Sequence, residues 1–434
     1  MILSHASGRA RERRHLIRSI AVAAALTLAA TACGSGGQAG GSGDGGSTLT
    51  VAVWNMAKTP EFKALFDAFQ AANPGVKIQP VDILADDYAD KVTTMLAGGD
   101  STDVITMKNV TDYSRYSSRG QLTDITDLVK SGDTSKLAGL DAYNVKNAYF
   151  ALPYRQDFWL LYYNKAYFDK AGVKMPENLT WDEYAKLAQQ LTKEEGGKKV
   201  YGTYHHTWRS VVQAISAAQT GGDQLGGDYG FFTDQYNLAL GLQKAGATLD
   251  FGTATAQKSD YKTMFETGAT AMLPMGTWYI ASILAQKEKG ATDVDWALAP
   301  MPQRPDGTGV TTFGSPTAFA VNKRAKNADL AKKFVQFAAG KAGADAIAKI
   351  GVVPALQSPE ITSAYFGIKG MPTDELSKKA FQPDKVVLEM PVSEHTSDVD
   401  TILKEEHELI MVGDKTVADG IKSMNERVKN EVLN

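Results

Sequence analysis

From residue 49 onward the chain alternates short buried-strand patterns with amphipathic helical ones, and this constrains its fold more than any other feature. Leu49–Trp54 is apolar apart from Thr50, as expected of a strand covered on both faces. Thr59-Pro60 then opens a helix, an N-cap residue followed by proline at the first helical position, with Phe62, Leu65, Phe66 and Phe69 on one face. Val76–Ile83 is a second strand. Tyr88–Ala97 is a second helix with Tyr88, Val92, Met95 and Leu96 inward, and Val104–Met107 is a third strand. The order βαβαβ predicts an α/β lobe built on a largely parallel sheet.

The same grammar recurs downstream. Strands are expected at Phe158–Asn164, Val200–Tyr204, Thr270–Pro274 and Ala318–Asn322. Thr180-Trp181-Asp182-Glu183 is a capping box that opens a helix through Leu191. Further helices are expected at Ser210–Gln219 and Trp278–Lys287, in a pair ending at Lys349, and at Asp398–Met411 and Thr416–Leu433. About 390 residues follow position 47, enough for two α/β lobes.

The segment ahead of this alternation has a different character. Arg9, Arg11, Arg13, Arg14 and Arg18 face one acid, Glu12, and precede the uncharged run Ile20–Ala30. A basic stretch, an apolar stretch and small residues, in that order, describe a secretory signal over residues 1–32. Its apolar run is far shorter than the roughly 20 residues needed to cross a bilayer. The run ends at Cys33, the one cysteine in the sequence, within Ala29-Ala30-Thr31-Ala32-Cys33. This resembles a lipoprotein processing site with Ala30 in place of the usual leucine, and an acylated Cys33 would anchor the chain to a membrane. Arg13-Arg14 leaves both twin-arginine and general secretory export open. Residues 34–47 are almost entirely Gly and Ser, the composition of a flexible tether. Removing residues 1–32 leaves 41 basic against 48 acidic side chains, a net charge of −7 that argues against nucleic acid as a partner.

Few residues offer catalysis. No nucleophile elbow or phosphate-cradling glycine loop is present, and no cofactor is expected. His205, His206, His395 and His407 lack the spacing of a helical zinc site, so they are read as surface or packing residues and no metal is expected. A carboxylate pair of the glycosidase kind is not excluded by so acidic a chain. The tryptophans are more informative. Trp54 ends the first strand and Trp278 follows a strand at Gly276, both at carboxyl edges where open α/β sheets gather ligands, while Trp159 and Trp208 flank elements. Aromatic faces there stack on the CH faces of sugar rings.

Four stretches, in order, resemble the extracellular solute-binding proteins of ABC importers, specifically the carbohydrate group that includes maltose-binding protein. They are Leu49–Trp54 with Glu61–Phe66 and Asn73–Lys77; Leu96–Val104; Ala151–Tyr154 with Leu161–Lys165; and Gly268–Met272 with Gly276-Thr277-Trp278. The resemblance implies a two-lobed α/β fold with a ligand cleft between lobes and hinge crossings near Pro153–Phe158, near Pro300–Phe313 and past Pro354. It divides the chain into lobe 1, residues 48–156 with about 306–355, and lobe 2, about 157–305 with 356–434.

The resemblance also implies site residues. Asp157 matches a hinge carboxylate that accepts sugar hydroxyls, Trp278 a stacking tryptophan, and Trp54 a first-lobe contact. Lys108 and Asn109 supply polar contacts, while Tyr154, Arg155, Gly314 and Ser315 fall at the crossings, and Trp208 joins the aromatic set. Asp400-Thr401 stands where maltose-binding protein carries an aromatic pair, and Met107 where it has a tryptophan, which favours a smaller solute. The implied function is capture of a mono- to small oligosaccharide by a monomeric, membrane-tethered protein that delivers it to a permease. A secreted glycoside hydrolase, or a binder of an acidic or phosphorylated solute drawn to Arg155 and Lys108, is the alternative. The anchor has a direct check: mass spectrometry of the protein purified from membranes should show a diacylated Cys33 at the N-terminus, and Cys33→Ser should release the chain into the medium.

Overall fold

The computed structural model describes residues 47–434 apart from Asp133 and Gln357, so the export segment, Cys33 and the tether up to Gly46 lie outside the described residues. Strands β1 (Thr48–Trp54), β2 (Lys77–Ile83) and β3 (Val104–Met107) alternate with helices α1 (Pro60–Ala72), α2 (Tyr88–Ala97) and α3 (Val110–Ser118). β1 lies between β2 and β3 and runs parallel to both. α1 starts at Pro60 as expected, although the Thr59 side chain makes no capping bond. Proline's fixed φ and missing N–H are enough to begin the helix there.

Two strands are much longer than their apolar patterns predict. β4 spans Ala151–Asn164 and, after β5 (Met272–Gly276) and β6 (Trp296–Ala299), β7 spans Thr311–Val321. The polar stretches Arg155-Gln156-Asp157 and Gly314-Ser315-Pro316, expected at the hinge crossings, pair with each other: Gly314 with Phe158, Ser315 with Asp157, Thr317 with Arg155. With β8 (Lys385–Leu388) these strands form an eight-stranded sheet in the order β6-β4-β7-β3-β1-β2, with β5 on β4 and β8 on β7. β4 is antiparallel to β5, β6 and β7, and β7 is antiparallel to β3. The expectation of a largely parallel first sheet therefore holds for β2-β1-β3 and stops there, because two hinge strands enter from the other direction.

The apolar side chains gather into two cores. Leu49, Phe62, Phe66, Tyr88, Phe319 and Phe334 belong to the first, and Trp159, Tyr162, Tyr184, Phe265, Tyr279 and Leu403 to the second. β4 gives Leu152 and Tyr154 to the first core and Phe158–Tyr163 to the second, while β7 gives Phe313 to the second and Ala318–Val321 to the first. Each strand thus passes between cores at its polar middle. The pairing register shifts between Thr317 and Ala318, leaving Tyr154 as the extra residue of a bulge, a device that re-aims side chains beside sites.

Elsewhere the elements differ in detail. The capping box at Thr180 forms and opens Trp181–Leu191. The strand expected at Val200–Tyr204 is reduced to Lys198–Val200, since the Thr203 and Tyr204 amides donate instead to the carbonyls of Ala247 and Met272. A 3₁₀ turn at Arg209–Val211 precedes the helix Gln213–Thr220. The helices Thr396–Val412 and Val417–Val428 set Val399, Leu403, Ile410 and Met424 into the second core. Among the described residues no helix is long and apolar enough to cross a membrane.

Gly314 marks the tightest point of the crossing. A Cβ added there would lie 2.1 Å from the Asp157 carbonyl oxygen and 2.9 Å from the Phe158 Cα, both backbone atoms that have little room to yield. Gly314→Ala should therefore destabilise the fold by about 1–3 kcal/mol, read from the urea midpoint of the purified domain.

Candidate functional site

Pairing of β4 with β7 sets two cross-strand pairs on one sheet face, Arg155 with Thr317 and Asp157 with Ser315, and Trp159 follows on the same face of β4. Side chains two residues apart on a strand share a face, so the hinge presents a guanidinium, a carboxylate and an indole in sequence. Trp159 stacks on Phe313 with ring centroids 4.9 Å apart. Arg155 Nε lies 2.8 Å from Asp157 Oδ2 as an ion pair and donates to Thr317 Oγ1 at 3.1 Å, while Nη1 pairs with Glu61. Asp157 Oδ1 accepts from the Thr277 hydroxyl at 2.9 Å. This chain of contacts runs from α1 through the hinge to the turn before Trp278.

All three ionisable members are buried. Burial pushes the Glu61 and Asp157 carboxyls above their ordinary range, opposed in each case by the charge of Arg155. A buried guanidinium is tolerable when paired and hydrogen-bonded in this way.

On the second-lobe side lies an aromatic wall. Trp159 meets Trp278 at 5.6 Å and Trp208 at 6.4 Å, both near perpendicular, and Trp208 lies 6.2 Å from Trp278. His206 packs on Trp208 at 4.4 Å, and Tyr261 at 5.9 Å completes the group. Trp208 is 37% exposed, so this wall still opens to solvent. On the first-lobe side the Trp54 ring packs edge-on against Phe62 and Tyr88 and has Lys108 Nζ at 5.6 Å and Arg155 at 5.9 Å from its centroid. Those distances allow cation–π attraction.

Two buried polar atoms on the hinge face have no hydrogen-bond partner, Trp159 Nε1 and Ser315 Oγ. Buried polar groups are ordinarily satisfied, and orphans that cluster mark a place where something else binds. The two lobes also touch beside the site. Arg115 on α3 donates to Ser397 Oγ at 2.8 Å, and Ser114 donates to the Ser393 carbonyl. On the opposite flank the Lys58 carbonyl accepts from Ser282 at 3.4 Å and from Lys262 at 3.5 Å.

The residues singled out from the sequence fall as follows. Arg155, Asp157, Ser315, Trp208 and Trp278 surround the hinge face, and Gly314 sits at its tight point. Tyr154 stacks on Phe319 in the first core with its hydroxyl unpartnered. Lys108 donates to the Ala85 carbonyl at 2.8 Å. Asn109 Oδ1 accepts from the Asp112 amide at 2.8 Å, so the side chain caps α3. His205 is buried and His206 half-buried, each lowered by burial to about 4 and hence neutral, and among the described residues no metal-binding cluster forms. Asp400 pairs with Arg209 Nε at 2.8 Å, so the late helix brings an ion pair where an aromatic was missing.

Glu61, Asp112 and Tyr261 were not among the residues singled out, and Trp159 and His206 were noted without being assigned to the site. Trp159 was legible, lying two residues beyond Asp157 on one strand face. The others depend on which helix packs against which strand, and no local pattern carries that.

A model of the bacterial extracellular solute-binding protein family matches residues 54–345. The chain belongs to that family. It is 23% identical over 402 residues to the multiple sugar-binding protein of Streptococcus mutans, covering 88% of this chain and 91% of that one. A sugar transporter of Rhizobium etli, solved in an open conformation, is 35% identical with a TM-score of 0.73, covering 88% of this chain and 99% of that one. An ABC substrate-binding protein of Listeria monocytogenes in complex with cycloalternan is 21% identical with a TM-score of 0.77, covering 89% and 99%. The fold is accordingly the two-lobed periplasmic-binding-protein type, and the protein is extracytoplasmic like its family.

Asp112 supplies a pH test of the site's electrostatics. Burial, opposed by Arg115 and Lys108, raises its pKa from 3.8 to about 6. Between those values the folded chain holds a proton that the unfolded chain has lost, so its contribution to stability is present at low pH and is lost as pH rises toward 6. Asp112→Asn should gain on the wild type across that window, by on the order of 2 kcal/mol, measured as paired urea midpoints from pH 4 to 7.

Proposed function

We propose that this solute-binding protein captures a sugar, from a monosaccharide to a small oligosaccharide, outside the membrane and delivers it to the permease of an ABC importer. One observation carries the reading: aromatic faces at Trp159, Trp208 and Trp278 stand beside the Asp157 carboxylate and the unpartnered Trp159 Nε1 and Ser315 Oγ. Sugars offer apolar CH faces ringed by hydroxyls, so they suit an aromatic wall with a few directed polar groups. The sugar ligands in the relatives' names support the same class.

Trp54, Lys108, Tyr154, Arg155, Asp157, Trp208, Trp278, Gly314 and Ser315 are retained as the proposed contacts, with Asn109 holding the α3 terminus that borders them. The proposed lobes are those given above, with the β7 crossing at residues 314–317 because Phe313 packs in the second core. Closure of the lobes on the solute, by bending at the polar middles of β4 and β7, traps it without any covalent step. An anionic or phosphorylated solute is disfavoured, since Arg155 already faces two carboxylates and Lys108 is engaged by a carbonyl. The proposal includes a monomer held at the membrane by an acylated Cys33 after Sec or Tat export, with residues 34–47 giving the domain reach toward its permease.

The test is a panel of neutral sugars against the purified domain, followed by thermal shift, calorimetry and product analysis. A sugar that stabilises the protein and is recovered intact is the expected result, and release of cleaved product overturns it. Trp278→Ala should lower affinity for that sugar by on the order of tenfold to a hundredfold while leaving the unfolding midpoint near that of the wild type.

A further inference from the structure

We infer that Glu61 is a specificity-determining residue, a charge gate that makes the cleft reject acidic sugars by neutralising the Nη1 side of Arg155. The inference rests on the sugar reading above and goes beyond it by assigning the solute's charge to one side chain.

Glu61 lies in the first turn of α1, where a carboxylate also meets the positive end of the helix dipole, yet it faces inward rather than to solvent. At 2% exposure it is among the most buried carboxylates in the chain. A capping or solubilising role does not need such burial, which is costly for a charge. Its carboxylate instead pairs with Arg155 Nη1, while Arg155 Nε is held by Asp157 at 2.8 Å and by Thr317 at 3.1 Å. The guanidinium also lies over the rings of Trp54 and Tyr154, at 5.9 Å from each. The ring and carboxylate contacts together engage the Nε and Nη1 side of this cation.

An arginine at a hinge is otherwise suited to seizing a carboxylate, because its planar fork binds one bidentately. Asp157 alone would match the guanidinium one to one. The second carboxyl, delivered from α1, occupies Nη1, so an incoming uronate meets two acidic groups already at one arginine. Discrimination of this kind comes from a repulsive element aimed at the wrong ligand as much as from attraction to the right one. The other charged group whose field reaches Glu61 is Lys262, which hydrogen-bonds to Ser282 at 3.0 Å. Removing the Glu61 charge would therefore leave Arg155 and Lys262 less compensated together.

The experiment compares wild type, Glu61→Gln and the double variant Glu61→Gln with Arg155→Gln. Each is titrated by calorimetry with matched neutral and acidic probes: galactose and galacturonate, glucose and glucuronate, cellobiose and cellobionate. Circular dichroism confirms folding, and Glu61→Ala, which leaves room for water beside the guanidinium, is run in parallel in case the glutamine does not fold. The expected result is a shift of the acid-to-neutral affinity ratio by on the order of tenfold toward the acid in the single variant. That shift should be abolished in the double variant. Equal loss of affinity for both probes, with the ratio unchanged, makes Glu61 a structural residue and overturns the gate. If no probe binds any chain, the sugar reading itself falls and takes the gate with it, an outcome distinct from an unchanged ratio.

Discussion

The structure depends on the pairing of two strands that each belong to both cores. β4 and β7 are anchored at either end by apolar side chains, and their polar middles would be costly loops if left alone. Those middles instead pair with each other, while the Gln156 amide donates to the Val353 carbonyl and the Gly314 carbonyl accepts from the Glu389 amide. The glycine at position 314 lets the two backbones approach to the distance that pairing requires, and the bulge at Tyr154 absorbs the change in direction between lobes. A hinge built as paired sheet is a defined bend rather than a floppy linker, so it holds the side chains on its face in fixed order.

That order explains the electrostatics. Arg155, Asp157 and Trp159 stand on one face because strands alternate; the register sets Thr317 and Ser315 opposite the first two, and Phe313 stacks on the third. The hinge therefore brings charge, hydrogen-bonding capacity and an aromatic surface together without help from a loop. Glu61 reaches the same place from α1 and Thr277 from the far lobe, so the carboxylates and the guanidinium are shared between elements that move relative to one another in a hinge fold. Linking the proposed binding groups to both lobes is a direct way to couple occupancy to closure.

Much of this was legible from residues alone. The βαβαβ opening, the capping box at Thr180 and the helix beginning at Trp278 carry local signals strong enough to place them within a few residues. The long hinge strands were not legible, because Arg155-Gln156-Asp157 and Gly314-Ser315-Pro316 have no apolar alternation and gain their strand character only by pairing across more than 150 positions of sequence. Resemblance to a family brought Asp157 and Trp278 forward, whereas Glu61 looked like an ordinary acidic residue in a first helical turn. Asn109 shows the opposite error of emphasis: a polar residue past a strand reads as a contact, and its carbonyl oxygen is occupied by the cap of α3.

The sequence by itself determined the α/β class and the two-lobe scale, since both follow from local periodicity and length. Only the tertiary structure decided that Glu61 and Asp157 share one arginine, that Trp159, Trp208 and Trp278 form a single wall, and that Arg209 meets Asp400. Those pairings join residues up to about 190 positions apart. They are set by which faces the cores bury and by the register of one antiparallel pair, quantities that no window of sequence contains.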